Sequence, residues 1–263
     1  MWDAGAPDSR YEGVCTAWAK TDCAYRDRCP SRISIRWETD AQCLARETLQ
    51  CELEGADPDV NFDPMAVAGC AYPADCQSPV PGLRVCLSPG KAADRAPCQW
   101  NEACASGICL LPAPDEPPGC GVCFTPRPCT ITCDGGETCE IDVDGGERCV
   151  TLPTVASASL GEACGADAGG PVCFDPNVEV YCDETQHCRA FQPASYGQSC
   201  AETDAGAAFW CEGFGTCALL DTFLCVAPAA DGALCDDRQG LSCLPPARCQ
   251  ANHCTFPNLS CSH

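Results

Sequence analysis

The sequence predicts a small disulfide-rich fold in two parts: a helical, disulfide-stapled head over residues 1–90, then over residues 91–263 an array of about five small disulfide modules. The modules should contain short β-hairpins and little other regular secondary structure. Three observations predict this class. The chain carries thirty cysteines among 263 residues, a density typical of oxidising compartments. These cysteines recur at a regular period only in the second part. Leu, Ile, Val and Phe total 42 residues, too few for one large core.

The cysteine spacing favours disulfide bonds over metal thiolates. The count is even, neither CC nor CxC occurs, and the one CxxC is Cys120–Cys123. A zinc ribbon needs two such pairs, or one pair with spaced histidines. We therefore expect about fifteen disulfides. Each contributes roughly 2–4 kcal/mol, mainly by restricting the unfolded chain, and this offsets the small core and a net charge of −22.

The first ninety residues predict three short helices. Within residues 9–29, one helical face would carry Cys15, Trp18, Ala19 and Cys23. A second helix is expected after Thr39 or Asp40 as its cap, with Cys43, Leu44 and Cys51 on it. A third should begin at Asp63-Pro64, because proline suits the first helical position, and it carries Met65, Val67, Ala68 and Cys70. Eight cysteines lie here, enough for four bridges within the head.

The cysteine spacing of the second part predicts a repeat, with units starting near residues 98, 129, 164, 200 and 235. Three units open with a glycine three residues before the first cysteine: Gly161, Gly197 and Gly232. Each suits a tight turn with positive φ. The middle units have four cysteines, the density of EGF-like or knottin-like modules, whereas the first and last have five. Either a unit boundary is misplaced by one cysteine, or bridges cross between units.

One run resembles known modules. Cys98-x5-Cys104-Ala-Ser-Gly-Ile-Cys109 followed by Gly119-Cys120-Gly-Val-Cys123 is similar to Dickkopf-type and EGF-like cysteine-rich modules. The layout of residues 1–260 resembles exported or lipoprotein-like proteins of myxobacteria-type bacteria, in which such modules follow a small helical cysteine-rich domain. The resemblance implies an extracellular or cell-surface protein and assigns no catalytic residue.

The sequence contains none of the usual catalytic motifs, and we expect that the protein is not an enzyme. It contains no GxSxG, HExxH, P-loop or GxGxxG. The three histidines, His187, His253 and His263, stand in loop-like contexts or at the end of the chain. A redox role for Cys120 and Cys123 would need a helix start in a βαβ context, so we expect these cysteines to be structural.

The acidity of the chain excludes nucleic acid as an expected partner, because a phosphate backbone would be repelled. Closely spaced carboxylates at Asp142, Asp144 and Glu147 could hold calcium, which prefers oxygen ligands. The full EF-hand loop pattern is absent, however, so a solvated acidic turn is the first interpretation. No cofactor is expected.

One basic and aromatic segment, residues 25–37, is the predicted partner-binding site. It holds four arginines against one aspartate, and its last residues alternate like a short strand. Arg and Trp are enriched at binding hot spots, and an exposed strand can pair with another sheet. The predicted binding residues are Arg28, Arg32, Ile33, Ile35, Arg36 and Trp37. The alternative is that Ile33, Ile35 and Trp37 fill a small core in the head.

The expected function is therefore non-enzymatic: an extracellular or cell-surface binding or adhesion protein with a stapled modular stalk. One alternative is a structural subunit that assembles head to tail into a filament, through the head of one copy and the acidic array of the next. A second alternative is a secreted inhibitor or effector. No apolar run reaches the ~20 residues of a membrane span, and we expect a mature chain whose export signal has been removed, with a lipid anchor left open.

Overall fold

The computed structural model describes residues 10–29, 37–72, 83–110, 120–125, 130, 137–141, 147–151, 157–165, 171–173, 180–200, 209–218, 223–236, 241–257 and 261. These residues form two compact units. The first comprises those within Met1–Phe124 and Phe191–His263, and the second those within Thr125–Asp175 and Val180–Ala190. The head thus shares a unit with the first and the last two array modules.

The three predicted helices are present as α1 (Glu12–Arg28), α2 (Asp40–Ala56) and α3 (Pro64–Ala68). Thr39 caps α2, since its hydroxyl accepts from the backbone N–H of Gln42 at 3.0 Å. Asp63 caps α3 in the same way, accepting from the N–H of Met65 at 2.9 Å. Local side-chain chemistry therefore determines where α2 and α3 begin. Short 3₁₀ turns follow at Leu83–Cys86 and Asn101–Ala103.

Two disulfides staple α1 to α2. Cys15 bonds Cys51 and Cys23 bonds Cys43, so the spacing of eight residues on α1 matches the spacing of eight on α2 in an antiparallel pair. Trp18, Ala19, Cys15 and Cys23 are buried along the shared face, as the sequence predicts. A third bridge joins Cys70 to Cys86. The expected helical domain stapled between its helices is confirmed.

Among the described residues, the remaining regular structure consists of short strands, mostly in two-stranded pairs. They are β1 (Pro97–Cys98), β2 (Cys109–Leu110), β3 (Gly121–Cys123), β4 (Glu137–Ile141), β5 (Glu147–Thr151), β6 (Ser157–Ala158), β7 (Val172–Cys173), β8 (Val180–Cys182), β9 (Cys188–Ala190), β10 (Gln192–Ala194), β11 (Phe209–Cys211), β12 (Thr216–Cys217), β13 (Cys225–Val226), β14 (Arg248–Gln250) and β15 (His253–Thr255). The structure confirms the predicted small disulfide-rich class.

Each of the five predicted modules contains an antiparallel pair in which two cysteines face each other across the ladder. The facing pairs are Cys109 and Cys123, Cys139 and Cys149, Cys182 and Cys188, Cys217 and Cys225, and Cys249 and Cys254. In four modules the facing cysteines bond to earlier ones, first to third and second to fourth, if Cys120 of the first module is left out of the count. These bridges are 98–109 with 104–123, 164–182 with 173–188, 200–217 with 211–225, and 235–249 with 243–254. One scaffold is therefore repeated.

The opening turn of the module confirms the predicted glycine geometry. Gly161, Gly197 and Gly232 have φ of +84°, +82° and +80°, and each N–H donates to the carbonyl of its module's fourth cysteine at 2.7 Å. In the module that starts near residue 98, Arg95 takes the same place, with φ of +64° and a 2.8 Å bond to the carbonyl of Cys123. The repeat therefore extends to a module that lacks the glycine signature.

A bridge between modules resolves the odd cysteine counts. Cys120, the surplus cysteine of the first module, bonds Cys261, the surplus cysteine of the last, across a sequence separation of 141. Of the two alternatives left open by the sequence, bridges that cross between modules is the right one. We call the Cys120–Cys261 bridge the clasp.

Non-covalent contacts add to the clasp where the last module meets α2. The guanidinium of Arg46 pairs with both carboxylate oxygens of Asp231, at 2.7 and 2.9 Å, and donates to the carbonyl oxygen of Pro245 at 2.6 Å. Arg248 lies over the Trp100 ring, 5.0 Å from its centroid, and donates to the carbonyl of Gln99 at 3.0 Å. The last module therefore packs on the head and on the first module.

Candidate functional site

Of the six predicted binding residues, the structure describes Arg28 and Trp37. Arg32, Ile33, Ile35 and Arg36 lie outside the described residues. Arg28 is exposed at the end of α1, with its guanidinium 5.3 Å from the centre of the Tyr25 ring. Trp37 is half-buried and packs on Phe214, with ring centroids 4.2 Å apart. The packing of Trp37 favours a core role for that residue, whereas the Arg28 side chain is exposed.

Trp37 also joins a buried polar network between α1 and α2. Its indole N–H donates to Glu47 Oε1 at 3.2 Å. The same oxygen lies 3.1 Å from Arg26 Nη2, and Arg26 Nε donates to Asp22 Oδ2 at 2.5 Å. Asp22 also accepts from the Tyr72 hydroxyl at 2.8 Å. Glu47 and Asp22 are almost fully buried, so these partners satisfy carboxylates that would be costly to bury alone.

Burial sets the protonation of this network. It raises the pKa of Glu47 to about 7, against the opposing attraction of Arg26. Burial, together with the neighbouring Asp22, also raises the pKa of the Tyr72 hydroxyl, which therefore stays a donor. Burial alone would lower the pKa of Arg26, but the carboxylates of Glu47 and Asp22 outweigh it and raise that pKa.

A groove of about 380 Å³ runs beside Arg28, and we call it the α1 groove. One wall is the exposed side of α1, and the other is the segment Cys70–Tyr72. Its residues are Lys20, Thr21, Ala24, Tyr25, Arg28, Cys70, Ala71 and Tyr72. Tyr25 and Tyr72 pack together at the base, with ring centroids 5.3 Å apart. The two charged side chains among these residues, Lys20 and Arg28, are both cationic.

A larger groove of about 650 Å³ lies in the same compact unit, near the start of α1 and the end of α2. It contains two cations, Arg10 and Lys91, and two carboxylates, Asp57 and Asp63. Lys91 donates to the carbonyl of Pro58 at 2.7 Å, and both carboxylates accept backbone N–H groups. Lys91 and both carboxylates therefore hold structural contacts, and Arg10 lies over the Tyr11 ring, 5.7 Å from its centroid.

A further buried carboxylate, Glu54, stands where α2 meets the first and last modules. Its Oε1 accepts from Gln50 at 2.8 Å, and its Oε2 has no hydrogen-bond partner among the described residues. Burial, with a smaller contribution from Glu102, raises the pKa of Glu54, while Arg248 opposes the rise. The position is closed to solvent, so Glu54 offers no open binding site.

The structure also bears on the predicted calcium site, on the CxxC cysteines and on metal binding by cysteine sulfurs. Asp142 and Asp144 lie outside the described residues, so the calcium hypothesis stays a prediction. Cys120 bonds Cys261 and Cys123 bonds Cys104, so these two cysteines of the CxxC are structural and not paired with each other. Clustered sulfurs in four modules could match metal spacing, but they belong to neighbouring disulfides.

No family model, curated protein or solved structure matches the chain. Among the described residues, no helix is long and apolar enough to cross a membrane. The many disulfides are compatible with an extracellular protein.

The sequence pattern did not predict that Lys20, Tyr72 and Glu47 lie near the predicted binding segment. Lys20 lies eight residues before Arg28, a spacing that returns to a similar side of a helix only after two turns. Tyr72 is distant in sequence and reaches Asp22 through the packing of the head. Only the helical stripe of Lys20, Ala24 and Arg28 carried a signal that sequence alone could have revealed.

Proposed function

We propose that this protein is a non-enzymatic binding or adhesion protein, extracellular or at the outer cell surface. It would contact its partner through the exposed end of α1. The observation that carries the proposal is the α1 groove: two exposed cations, and no carboxylate among its described lining residues, on a chain of net charge −22. Cations concentrated against the overall charge point to recognition of a partner.

The scaffold supports this role. Two disulfides fix α1 against α2, so the exposed side chains of α1 project from a rigid element. A rigid surface loses less conformational freedom when a partner binds. The contact of Trp37 with Phe214 holds the other end of the predicted segment to the same compact unit.

An adhesion assay tests the proposal. Beads coated with the oxidised protein should adhere to cells of the organism that encodes it, and Arg28→Ala should reduce that adhesion while leaving the thermal unfolding curve unchanged. Arg10→Ala, an exposed arginine at the other groove, is the matched control. If Arg28→Ala and Arg10→Ala adhere as well as the original protein, the α1 surface is not the binding site.

Trp37 needs a separate measurement, because its packing gives it a structural role. Trp37→Phe keeps a ring against Phe214 but loses the hydrogen bond to the Glu47 carboxylate, and such bonds are worth roughly 1.5–3 kcal/mol. We expect a lower melting temperature with adhesion retained below it. Loss of adhesion at full stability would instead place Trp37 in the binding surface.

A further inference from the structure

The clasp is a structural bridge, but its cysteines are less protected than those of the module bridges. Among the described bridges, only the clasp and Cys70–Cys86 join two half-buried cysteines. In every other described bridge at least one cysteine is buried. We propose that the clasp is a thiol-exchange site, at which a dithiol reductant opens the bond between Cys120 and Cys261 and so releases the covalent hold on the last module.

The two sulfurs of the clasp have different surroundings. The side-chain amide of Gln99 donates through Nε2 to Cys261 Sγ at 2.9 Å. The described residues include no hydrogen-bond donor to Cys120 Sγ. A donor at a sulfur stabilises the thiolate that forms there, and in thiol–disulfide exchange a more stable thiolate leaves faster. Cys261 is therefore the leaving sulfur, and Cys120 is the sulfur that the reductant attacks.

The packing around Gln99 holds this donor in place. Gln99 is only 2 % exposed, and its backbone carbonyl accepts from Arg248 Nη2 at 3.0 Å. Arg248 in turn lies over the Trp100 ring. Among the described residues, the Gln99 side chain makes one hydrogen bond, the one to sulfur, because its Oε1 has no partner there. The amide is therefore directed at the clasp before any reductant arrives.

The exchange proceeds in two steps. A thiolate of the dithiol attacks Cys120 Sγ, the bond between the two sulfurs breaks, and its electron pair leaves on Cys261, which takes a proton from solvent. The second thiolate of the dithiol then attacks the reductant's own sulfur in the mixed disulfide and expels Cys120 as a thiolate, which is also protonated. The clasp thus gains two electrons and two protons, and the dithiol becomes a disulfide.

Opening the clasp changes how the last module is held and leaves the module itself cross-linked. Its own bridges, Cys235–Cys249 and Cys243–Cys254, each contain a buried cysteine. The ion pair between Arg46 and Asp231 does not depend on the clasp sulfurs. The last module then has no described cross-link to the head or to the first module, and non-covalent contacts hold it in place.

Limited reduction of the oxidised protein, followed by alkylation and peptide mass spectrometry, tests the proposal. The two probes are dithiothreitol and a protein with a reduced CxxC pair, and they distinguish a small dithiol from an oxidoreductase as the reductant. At least one probe should label Cys120 and Cys261 before the cysteines of any other described bridge. If both probes open Cys70–Cys86 or a module bridge first, the proposal is wrong.

A monothiol identifies the sulfur that is attacked. Glutathione has a single thiol, so acid quenching early in the reaction traps its mixed disulfide with the protein. We expect glutathione on Cys120 and a free thiol on Cys261. Glutathione attached mainly to Cys261 would overturn the assignment of the leaving sulfur. This measurement uses the unaltered protein, so it does not depend on the folding of any variant.

A substitution of Gln99 tests the role of the donor. Gln99→Met keeps the length of the side chain and removes the hydrogen bond, so reduction of the clasp should slow about three- to tenfold. A change that merely loosened the packing would instead expose the sulfurs and speed their reduction. Cys70–Cys86 is the internal control, and its rate should stay the same. An unchanged or faster rate at the clasp in Gln99→Met would show that Gln99 does not promote the exchange.

Discussion

The clasp between Cys120 and Cys261 gives the most direct test of how this protein is held together. Replacing both cysteines by serine removes the one described bridge that joins the first and last modules, and leaves no free thiol to exchange with other disulfides. In the chain-entropy account, closing a loop of about 100 residues stabilises the folded state by about 4.7 kcal/mol. The clasp closes a separation of 141, and the bridges inside the array shorten the path toward 100. We expect a loss of up to about 4–5 kcal/mol.

The loss should be confined to the junction. The last module keeps its own bridges, Cys235–Cys249 and Cys243–Cys254, and its hairpin should stay protected from hydrogen exchange. Trp100 is 6 % exposed and lies beneath Arg248, so its indole signal should report undocking. Guanidinium unfolding of the oxidised protein, followed by this signal, gives the magnitude.

A matched control distinguishes docking from module stability. Replacing Cys243 and Cys254 by serine opens a separation of only 11, for which the same account gives about 3 kcal/mol, and it should expose the hairpin β14–β15 itself. If the clasp variant unfolds within about 1 kcal/mol of the original protein, or if its hairpin exchanges as fast as that of the control, the reasoning is wrong. In that case the contacts of Arg46 and Arg248 hold the last module without the covalent link.

Three further predictions are tested by four single-residue substitutions. Gly197→Ala should destabilise the module by about 1 kcal/mol through positive φ alone, since no atom lies within 4 Å of the added Cβ. Arg95→Gly should stabilise the protein by about 0.5 kcal/mol. In thermal unfolding, the two substitutions should therefore shift the melting temperature in opposite directions. The folded state raises the pKa of Glu47 from 4.5 to about 7. The stability that this group contributes, up to about 3 kcal/mol, is therefore complete below pH 4.5 and lost as the pH rises through 7. Glu47→Gln should flatten the dependence of the unfolding free energy on pH over this range, and an unchanged dependence would contradict the prediction. Arg46→Lys should speed hydrogen exchange in residues 241–257, because lysine cannot make the paired bonds to Asp231; unchanged exchange would show that this ion pair is dispensable.

Much of the fold follows from local chemistry, and so it could be predicted. Thr39 and Asp63 cap the helices that their types and positions predict. Gly161, Gly197 and Gly232 adopt the positive φ expected of the module turn. These features depend on side chains and backbone within a few residues, and a sequence displays such neighbours directly.

Arg95 shows where a local signature fails. The first module makes the same turn and the same hydrogen bond as the others, yet the residue with positive φ is an arginine. A search for glycine cannot find it, because an ordinary residue can be held in this conformation when the surrounding bridges and ladder over-determine the backbone.

The sequence by itself determined the class: thirty cysteines in a weakly apolar, strongly acidic chain require a disulfide framework, and their spacing determines the modules. The tertiary structure alone decided that Cys120 bonds Cys261 and that Trp37 packs on Phe214. It also decided that Lys20 and Arg28 share a groove with Tyr72. The physical reason is range. Caps and turns are local, whereas a bridge or a groove depends on which distant segments pack together, and cysteine spacing alone allows many pairings.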